Sequence, residues 1–278
     1  MISCDFFGGL GNNLFQLATA YSIHKKFGYE LRIPDYTNRG DIIKYGQSHT
    51  LEFSKLFDNE FLYDNNVNQK LKKYYHNDMN PSTTDYSYSP IIISDETTYI
   101  GYFQSEKYFL GVNIQEEFKI KQDNIEIIKN KYLNLFDKKN ISLHYRLGGD
   151  RVTEHMQHFH KNVSPNFFKK SIDIIGDYNS DDYNILVFTD NLPLAKNLLS
   201  DFNENLIFID NNNDNILDFT FMSLCDVNVV SNSTFSWWSA YLNKNINKKI
   251  IVTKSEWFGP GYQHFNLKDT FPNTWITL

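Results

Sequence analysis

The sequence predicts an α/β protein of two Rossmann-like halves facing a cleft, and three observations predict it. Through the second half, short β-rich apolar runs alternate with segments of helical spacing, the signature of βαβ units and a parallel sheet. The first half opens on a strand, a glycine turn and a helix. The 278 residues are 41% hydrophobic and 16% aromatic, ample for packed cores and unlike a disordered chain.

In the second half the strand runs are Ile141–Arg146, Asn184–Thr189, Leu206–Ile209, Val227–Ser231 and Lys249–Thr253. Helical patterns lie between them at Pro165–Gly176, Pro193–Phe202, Ile216–Cys225 and Phe235–Asn243. Ligands of such sheets bind outside the carboxyl ends of the strands, which selects Arg146, Asp190 and Ser231–Thr234. In the first half Ile2–Phe6 reads as a strand, Asn12–Phe27 as a helix, and Glu30–Ile33 and Ile91–Ser94 as further strands. Tyr36–Pro90 is polar and carries only short helical patches such as Leu51–Phe57, and Asp123–Asp137 reads as a helix joining the halves. The domain boundaries are therefore set at 1–122 and 123–278.

A net charge of −6 argues against nucleic-acid binding, which needs a basic surface. Two cysteines, Cys4 and Cys225, give no disulfide framework or zinc site. The sequence shows no secretory leader and no apolar run of about 18 residues, so a cytoplasmic protein without stable membrane insertion is expected, peripheral at the inner membrane at most.

Three strings carry chemistry. In Gly8-Gly9-Leu10-Gly11-Asn12-Asn13 the glycines permit a tight turn, and a helix N-terminus follows that favours an anion. The third glycine of a dinucleotide fingerprint is replaced by Leu14, yet Asp35 stands where a ribose-binding acid belongs, so an NAD-dependent enzyme using Gly9, Gly11 and Asp35 is a rival reading. In His144-Tyr145-Arg146-Leu147-Gly148-Gly149-Asp150 an arginine at a strand end can present a planar fork to a diphosphate, or simply form a surface ion pair. Ser231-Asn232-Ser233-Thr234-Phe235-Ser236-Trp237-Trp238 can cap a helix with Ser233 or Thr234 and leave backbone amides for a phosphate, with the tryptophans packed in the core. Asp190 and Asp218 lie on the same edge, where a carboxylate can accept from a guanine, or where an acid merely complements a helix dipole. The chain has no Asp-x-Asp to hold a divalent ion, and His155, His158 and His160 lack the partners of a zinc site.

Gly8–Gln16, Gly101–Phe109, His144–Asp150 and Ser231–Trp238, taken together and in this order, resemble the bacterial α-1,2-fucosyltransferase family. The resemblance implies a GT-B-like fold, a GDP-fucose donor held by the second half, inversion at the anomeric carbon and no metal or other cofactor. It implies a glycan acceptor served by the first half, with Asn12, Asn13 and Gln16 facing the cleft. Arg146 would bind the β-phosphate, His144 would lie beside the nucleotide, Asp218 would read the guanine, and Asn232, Ser233, Thr234 and Phe235 would line the phosphates. The family's His-x-Arg-Arg-Gly-Asp is altered here: Leu147 replaces the second arginine and Gly149 precedes Asp150, a spacing similar to that of protein O-fucosyltransferases. The expected activity is transfer of fucose to the 2-hydroxyl of a galactoside, with Asp5, Asp150 and Glu154 as candidate bases. A glycan-binding module without activity is the non-enzymatic rival.

Overall fold

The computed structural model describes residues 1–34, 50–64, 66–80, 82–176, 181–202 and 205–278, with backbone alone at Thr50, Leu51, Asp150, Val152 and His155. Asp35 and the side chain of Asp150 lie outside the described residues. The chain divides into two compact units, Met1–Lys121 with Phe265–Pro272, and Gln122–His264 with Asn273–Leu278.

The first unit contains β1 (Ile2–Cys4), α1 (Leu10–Phe27), α2 (Thr50–Leu56), α3 (Val67–Lys70), β2 (Lys72–Tyr75), β3 (Thr97–Ile100) and α4 (Ile114–Glu117). Its strands form a parallel sheet in the order β1-β3-β2. Helix α1 buries Leu14, Phe15, Leu17 and Ala18 completely. It ends where Gly28 turns left-handed at φ +73° and returns its N–H to the His24 carbonyl at 2.9 Å. His24, Lys25 and Lys26 occupy the last turn, where positive charge complements the helix dipole.

Two strands expected here are not strands. Glu30–Ile33 makes only single bridges at Leu31 and Ile33, because its hydrogen bonds switch partner: Ile2 donates to Glu30 and Ile33 donates to Leu62. Ile91–Ser94 is a loop with Ile92 74% exposed, and the Tyr99 hydroxyl occupies both the N–H and the carbonyl of Ser94 at 3.0 Å. The central strand is instead β3, four consecutive buried residues. Strand β2 escaped notice because Lys72, Lys73 and Tyr75 are exposed, so an edge strand shows no apolar alternation.

The second unit opens with α5 (Gln122–Lys131), which gives way to a separate 3₁₀ turn at Leu133–Asp137 rather than continuing as one helix. There follow β4 (Lys139–Tyr145), α6 (Glu154–Phe159), α7 (Pro165–Ile175), β5 (Tyr183–Thr189), α8 (Leu192–Leu198), β6 (Leu206–Phe208), α9 (Asn215–Ser223), β7 (Val227–Val230), α10 (Thr234–Tyr241), β8 (Lys249–Val252) and β9 (Ile276–Thr277). All six strands are parallel, in the order β6-β5-β4-β7-β8-β9. Numbered from β4, this is the 3-2-1-4-5-6 order of a doubly wound sheet, and it reverses between β4 and β7.

Strand β4 shows how pattern becomes position. Ile141, Leu143 and Tyr145 enter one core with Phe167, Phe168 and Ile172 of α7. The alternate residues Ser142 and His144 face the other way. There the buried Asn228 amide donates to the Ser142 hydroxyl at 2.9 Å and to the Met222 carbonyl at 2.7 Å, and Asn243 donates to Asn228 at 2.9 Å. These satisfied polar groups lie near the amino end of β7, where Asn243 also donates to the Cys225 carbonyl at 2.6 Å.

Candidate functional site

The carboxyl ends of β4 and β7 stand side by side at the reversal, and the loops leaving them converge. Arg146 follows β4, and its guanidinium donates to Asp190 at the end of β5. Asp190 also accepts from the N–H of Leu147 at 2.7 Å and of Gly148 at 2.8 Å. One carboxylate thus fixes both the loop backbone and the arginine. Burial alone would raise the Asp190 carboxyl, but the Arg146 charge and those two N–H bonds outweigh it and hold it below the usual range.

The Gly148-Gly149 pair has a steric basis. A Cβ on Gly148 would sit 2.9 Å from the Asp190 carbonyl, and Gly149, at φ +64°, lies where a Cβ would come within 2.9 Å of the Arg146 guanidinium. Leu147, where the resemblance leads one to expect a second arginine, is 1% exposed and packs in the core.

A second guanidinium enters from Arg151, which no sequence pattern singled out. It is 5% exposed and donates 2.6 Å bonds to both the side-chain and the backbone oxygen of Asn232, with a longer one to the Lys161 carbonyl. Asn232 returns its amide to Lys161 at 2.8 Å. This double bond to one residue holds the corner between β7 and α10.

At that corner Ser231 is buried and its hydroxyl lies 3.1 Å from His144 Nδ1. Burial lowers the His144 pKa to about 3, with Asp190 opposing and Arg146 and Arg151 assisting, so the ring is neutral. Phe235 packs its ring on His144 at 5.7 Å and on Phe219 at 5.4 Å. Ser233 stands at the N-cap of α10 in extended conformation, but its hydroxyl makes no capping bond, contrary to expectation. Thr234 is the first helical residue, and Trp237 and Trp238 are fully buried in the core.

Asp218 lies in the first turn of α9, whose N-cap is Asp214. Burial pushes its carboxyl up to about 6, while a 2.8 Å bond from the Asn211 amide pulls the other way. A folded-state pKa above the unfolded value means the folded chain binds the proton more tightly, so this group costs stability as pH rises from about 4 to 6, by about 3 kcal/mol in full. His144 acts with the opposite sign in an overlapping window. Asp218→Asn is therefore expected to gain stability over wild type progressively between pH 4 and 6, the gain then holding to pH 8. Urea midpoints of the two proteins across that range check it.

In the first unit the glycine turn is built differently from expectation. Gly8, at φ +78°, lies where a Cβ would collide with the Asn12 amide at 2.4 Å. Asn13 and Gln16, expected to face a cleft, are fully buried. Asn13 donates to the Phe7 carbonyl at 2.9 Å, and Gln16 donates to the Gly101 carbonyl at 3.2 Å. They fasten the turn. Asn12 remains half-buried and accepts from Gln104 at 3.0 Å, which joins the turn to the Gly101–Phe109 string. That string is held by Asp78, a residue missed in sequence, whose carboxylate accepts from the N–H of Tyr102 and of Phe103 at 2.8–3.1 Å. Phe103 itself is left-handed at φ +52°. His76 flanks Asp78 at 3.1 Å, and its other nitrogen lies 2.8 Å from the Ser89 hydroxyl and 3.0 Å from that of Tyr108. Of the candidate bases, Asp5 accepts from Asn68 at 3.2 Å in the first unit, and Glu154 is exposed at the start of α6 in the second.

The chain is 25% identical to the O-antigen biosynthesis glycosyltransferase WbnK of Escherichia coli over the whole length of both. It is 24% identical to an α-1,2-colitosyltransferase of the same species, covering 98% of this chain and 96% of that one. Among solved structures, the fucosyltransferase NodZ from Bradyrhizobium matches with a TM-score of 0.53 at 15% identity, over 87% of this chain and 92% of that one. POFUT1 in complex with GDP-fucose matches with a TM-score of 0.55 at 13% identity, over 90% and 96%. At such identities the likeness speaks for the fold, which is GT-B-like. The NAD-dependent reading of the glycine turn is set aside by the family itself. The sequence profile of glycosyl transferase family 11 matches residues 2–278, and the chain belongs to that family of glycosyltransferases.

Proposed function

We propose that the chain transfers L-fucose from GDP-β-L-fucose, with inversion and without a metal, to the 2-hydroxyl of a galactoside in an oligosaccharide or lipid-linked glycan. One observation carries this reading. At the reversal point of a doubly wound sheet, Arg146 and the uncapped N-terminus of α10 meet at one edge, beside a neutral His144.

The acceptor oxygen forms a bond to the fucose anomeric carbon as the bond from that carbon to the β-phosphate oxygen breaks. GDP carries the electron pair away, and Arg146 with the N-terminus of α10 stabilises the growing charge. Asp190 keeps the Arg146 fork in place, Arg151 and Asn232 keep the phosphate corner in place, and Asp218 accepts from the guanine. Glu154 takes the acceptor's proton. It belongs to the same unit as Arg146, and its carboxylate makes no hydrogen bond or ion pair within the described protein. The site is cytoplasmic in this reading, and no helix among the described residues is long and apolar enough to cross a membrane.

The test is GDP release from GDP-fucose with lactose as acceptor and a chelator present. Turnover is expected, with Glu154→Gln lowering kcat by about 10²–10⁴-fold. A wild-type protein that binds lactose but releases no GDP would instead support the binding-module reading.

The colitosyltransferase relative favours a second donor. Colitose is fucose without its 3-hydroxyl, so GDP-colitose belongs in the same assay. A site built to hydrogen-bond that hydroxyl would reject it by a large factor.

A further inference from the structure

We infer that the acceptor's reacting saccharide, a β-galactoside disaccharide in the proposed reaction, binds in a cleft of the second unit lined by Glu154, Gln157, His158, Lys161 and Pro260. The inference rests on the transfer reading above and names the acceptor's place in it. It shifts acceptor recognition toward the unit that also carries Arg146.

The cleft has a volume of about 670 Å³, within the range of small-ligand sites (about 300–1,000 Å³). Its wall is helix α6, which is held from both ends. Thr153 caps it, accepting from the N–H of Met156 at 3.3 Å, and the Gln157 amide donates to the Arg151 carbonyl and to Asn162. From the other side the segment Phe258–Tyr262 lies directly on its last turn. The Gly259 N–H donates to the Phe159 carbonyl at 2.6 Å, and a Cβ on Gly259 or Gly261 would stand 2.4 Å from the His158 carbonyl or 2.2 Å from its ring. The rings of Phe159 and Tyr262 meet edge-on at 4.4 Å. Such a wall can hold side chains at fixed positions.

Those side chains are unspent. Neither Glu154 nor Lys161 makes a side-chain hydrogen bond or ion pair within the described protein, and His158 is exposed with only a ring contact to Tyr262 at 6.0 Å. A carboxylate that accepts, an ammonium that donates, an imidazole that can do either and the apolar face of Pro260 together match a sugar's mixture of hydroxyls and C–H faces. They match an anion poorly, because Glu154 opposes Lys161 at the same wall.

The cleft is also wired to the donor corner. The Lys161 carbonyl accepts from Arg151 and from Asn232, and Gln157 holds the carbonyl of the same Arg151. The residues that border the saccharide therefore share bonds with the residue that fixes Asn232. A base that is to reach the acceptor oxygen must stand beside the acceptor, and Glu154 already lines this cleft.

The experiment uses His158→Ala, Lys161→Ala and their double variant in the full chain, with lactose and N-acetyllactosamine as probes. The double variant is expected to raise the acceptor KM about tenfold or more, the loss expected when hydrogen bonds to a charged group go. The donor KM, acceptor-free hydrolysis of GDP-fucose and the thermal shift on GDP binding are expected to stay unchanged, which also certifies the fold. An acceptor KM within twofold of wild type overturns the inference while leaving the transfer reading intact. If no GDP-sugar turns over, that reading fails separately, and saturation-transfer NMR of the two sugars decides the cleft by itself. Binding lost in the double variant supports it, whereas binding unaffected by the double variant, or absent for both sugars, overturns it.

Discussion

Arg146→Ala is expected to lower kcat with GDP-fucose by about 10²–10³-fold, the range found when a single preorganised donor to a developing anion is removed. The loss should fall on kcat more than on the stability of the chain. Arg146 is a partly exposed side chain, and Asp190 keeps its two backbone donors when the guanidinium is gone. Arg146→Lys should recover part of the rate, since it restores a charge without the planar fork that a diphosphate and Asp190 both use. Steady-state GDP release together with a GDP-induced thermal shift checks this. An alanine variant within threefold of wild type would remove Arg146 from the chemistry.

The second large effect is on stability. Asp78→Ala is expected to cost about 2–5 kcal/mol, because two backbone N–H groups lose their acceptor at about 1–3 kcal/mol each. The carboxylate is 6% exposed and is the acceptor for the N–H groups of Tyr102 and Phe103, the second of which sits in a left-handed conformation that the bond helps to hold. His76 would lose its neighbour as well. Asp78→Asn should cost less, because an amide oxygen still accepts. All four tryptophans, Trp237, Trp238, Trp257 and Trp275, lie in the second unit. Far-ultraviolet circular dichroism of Asp78→Ala should therefore show loss of structure at a lower temperature than tryptophan fluorescence does. Coincident, unshifted transitions would contradict the assignment.

The legibility of the chain follows the physics of its two units. The second unit was readable because its inner strands β4, β5, β7 and β8 are largely buried, so apolar runs and burial agree: the expected runs at Ile141–Arg146 and Val227–Ser231 differ from β4 and β7 by no more than two residues. The switch-point rule then pointed to Arg146 and Ser231–Thr234 without further information. In the first unit, Ile91–Ser94 shows an apolar run, yet Ile92 is 74% exposed and a tyrosine hydroxyl takes up the backbone of Ser94. Asn13 and Gln16 look like ligand-facing amides in sequence but are spent on carbonyls of the turn itself, a distinction only the fold can make. Arg151 and Asp78 were missed for a related reason. Their partners are 81 residues away, at Asn232, and 24–25 residues away, at Tyr102 and Phe103. The signal that could have found Arg151 is an arginine within a few residues of the strand-end Arg146.

The central claim is that a guanine nucleotide diphosphate docks where β4 and β7 end. Hydrogen exchange with and without GDP, read by mass spectrometry, measures this most directly. The account predicts slowed exchange in peptides covering Leu147–Asp150 and Asn232–Ser236, with no such slowing in Arg146→Ala at the same GDP concentration. Protection confined to Gly8–Asn13, or produced by NAD and not by GDP, would contradict it.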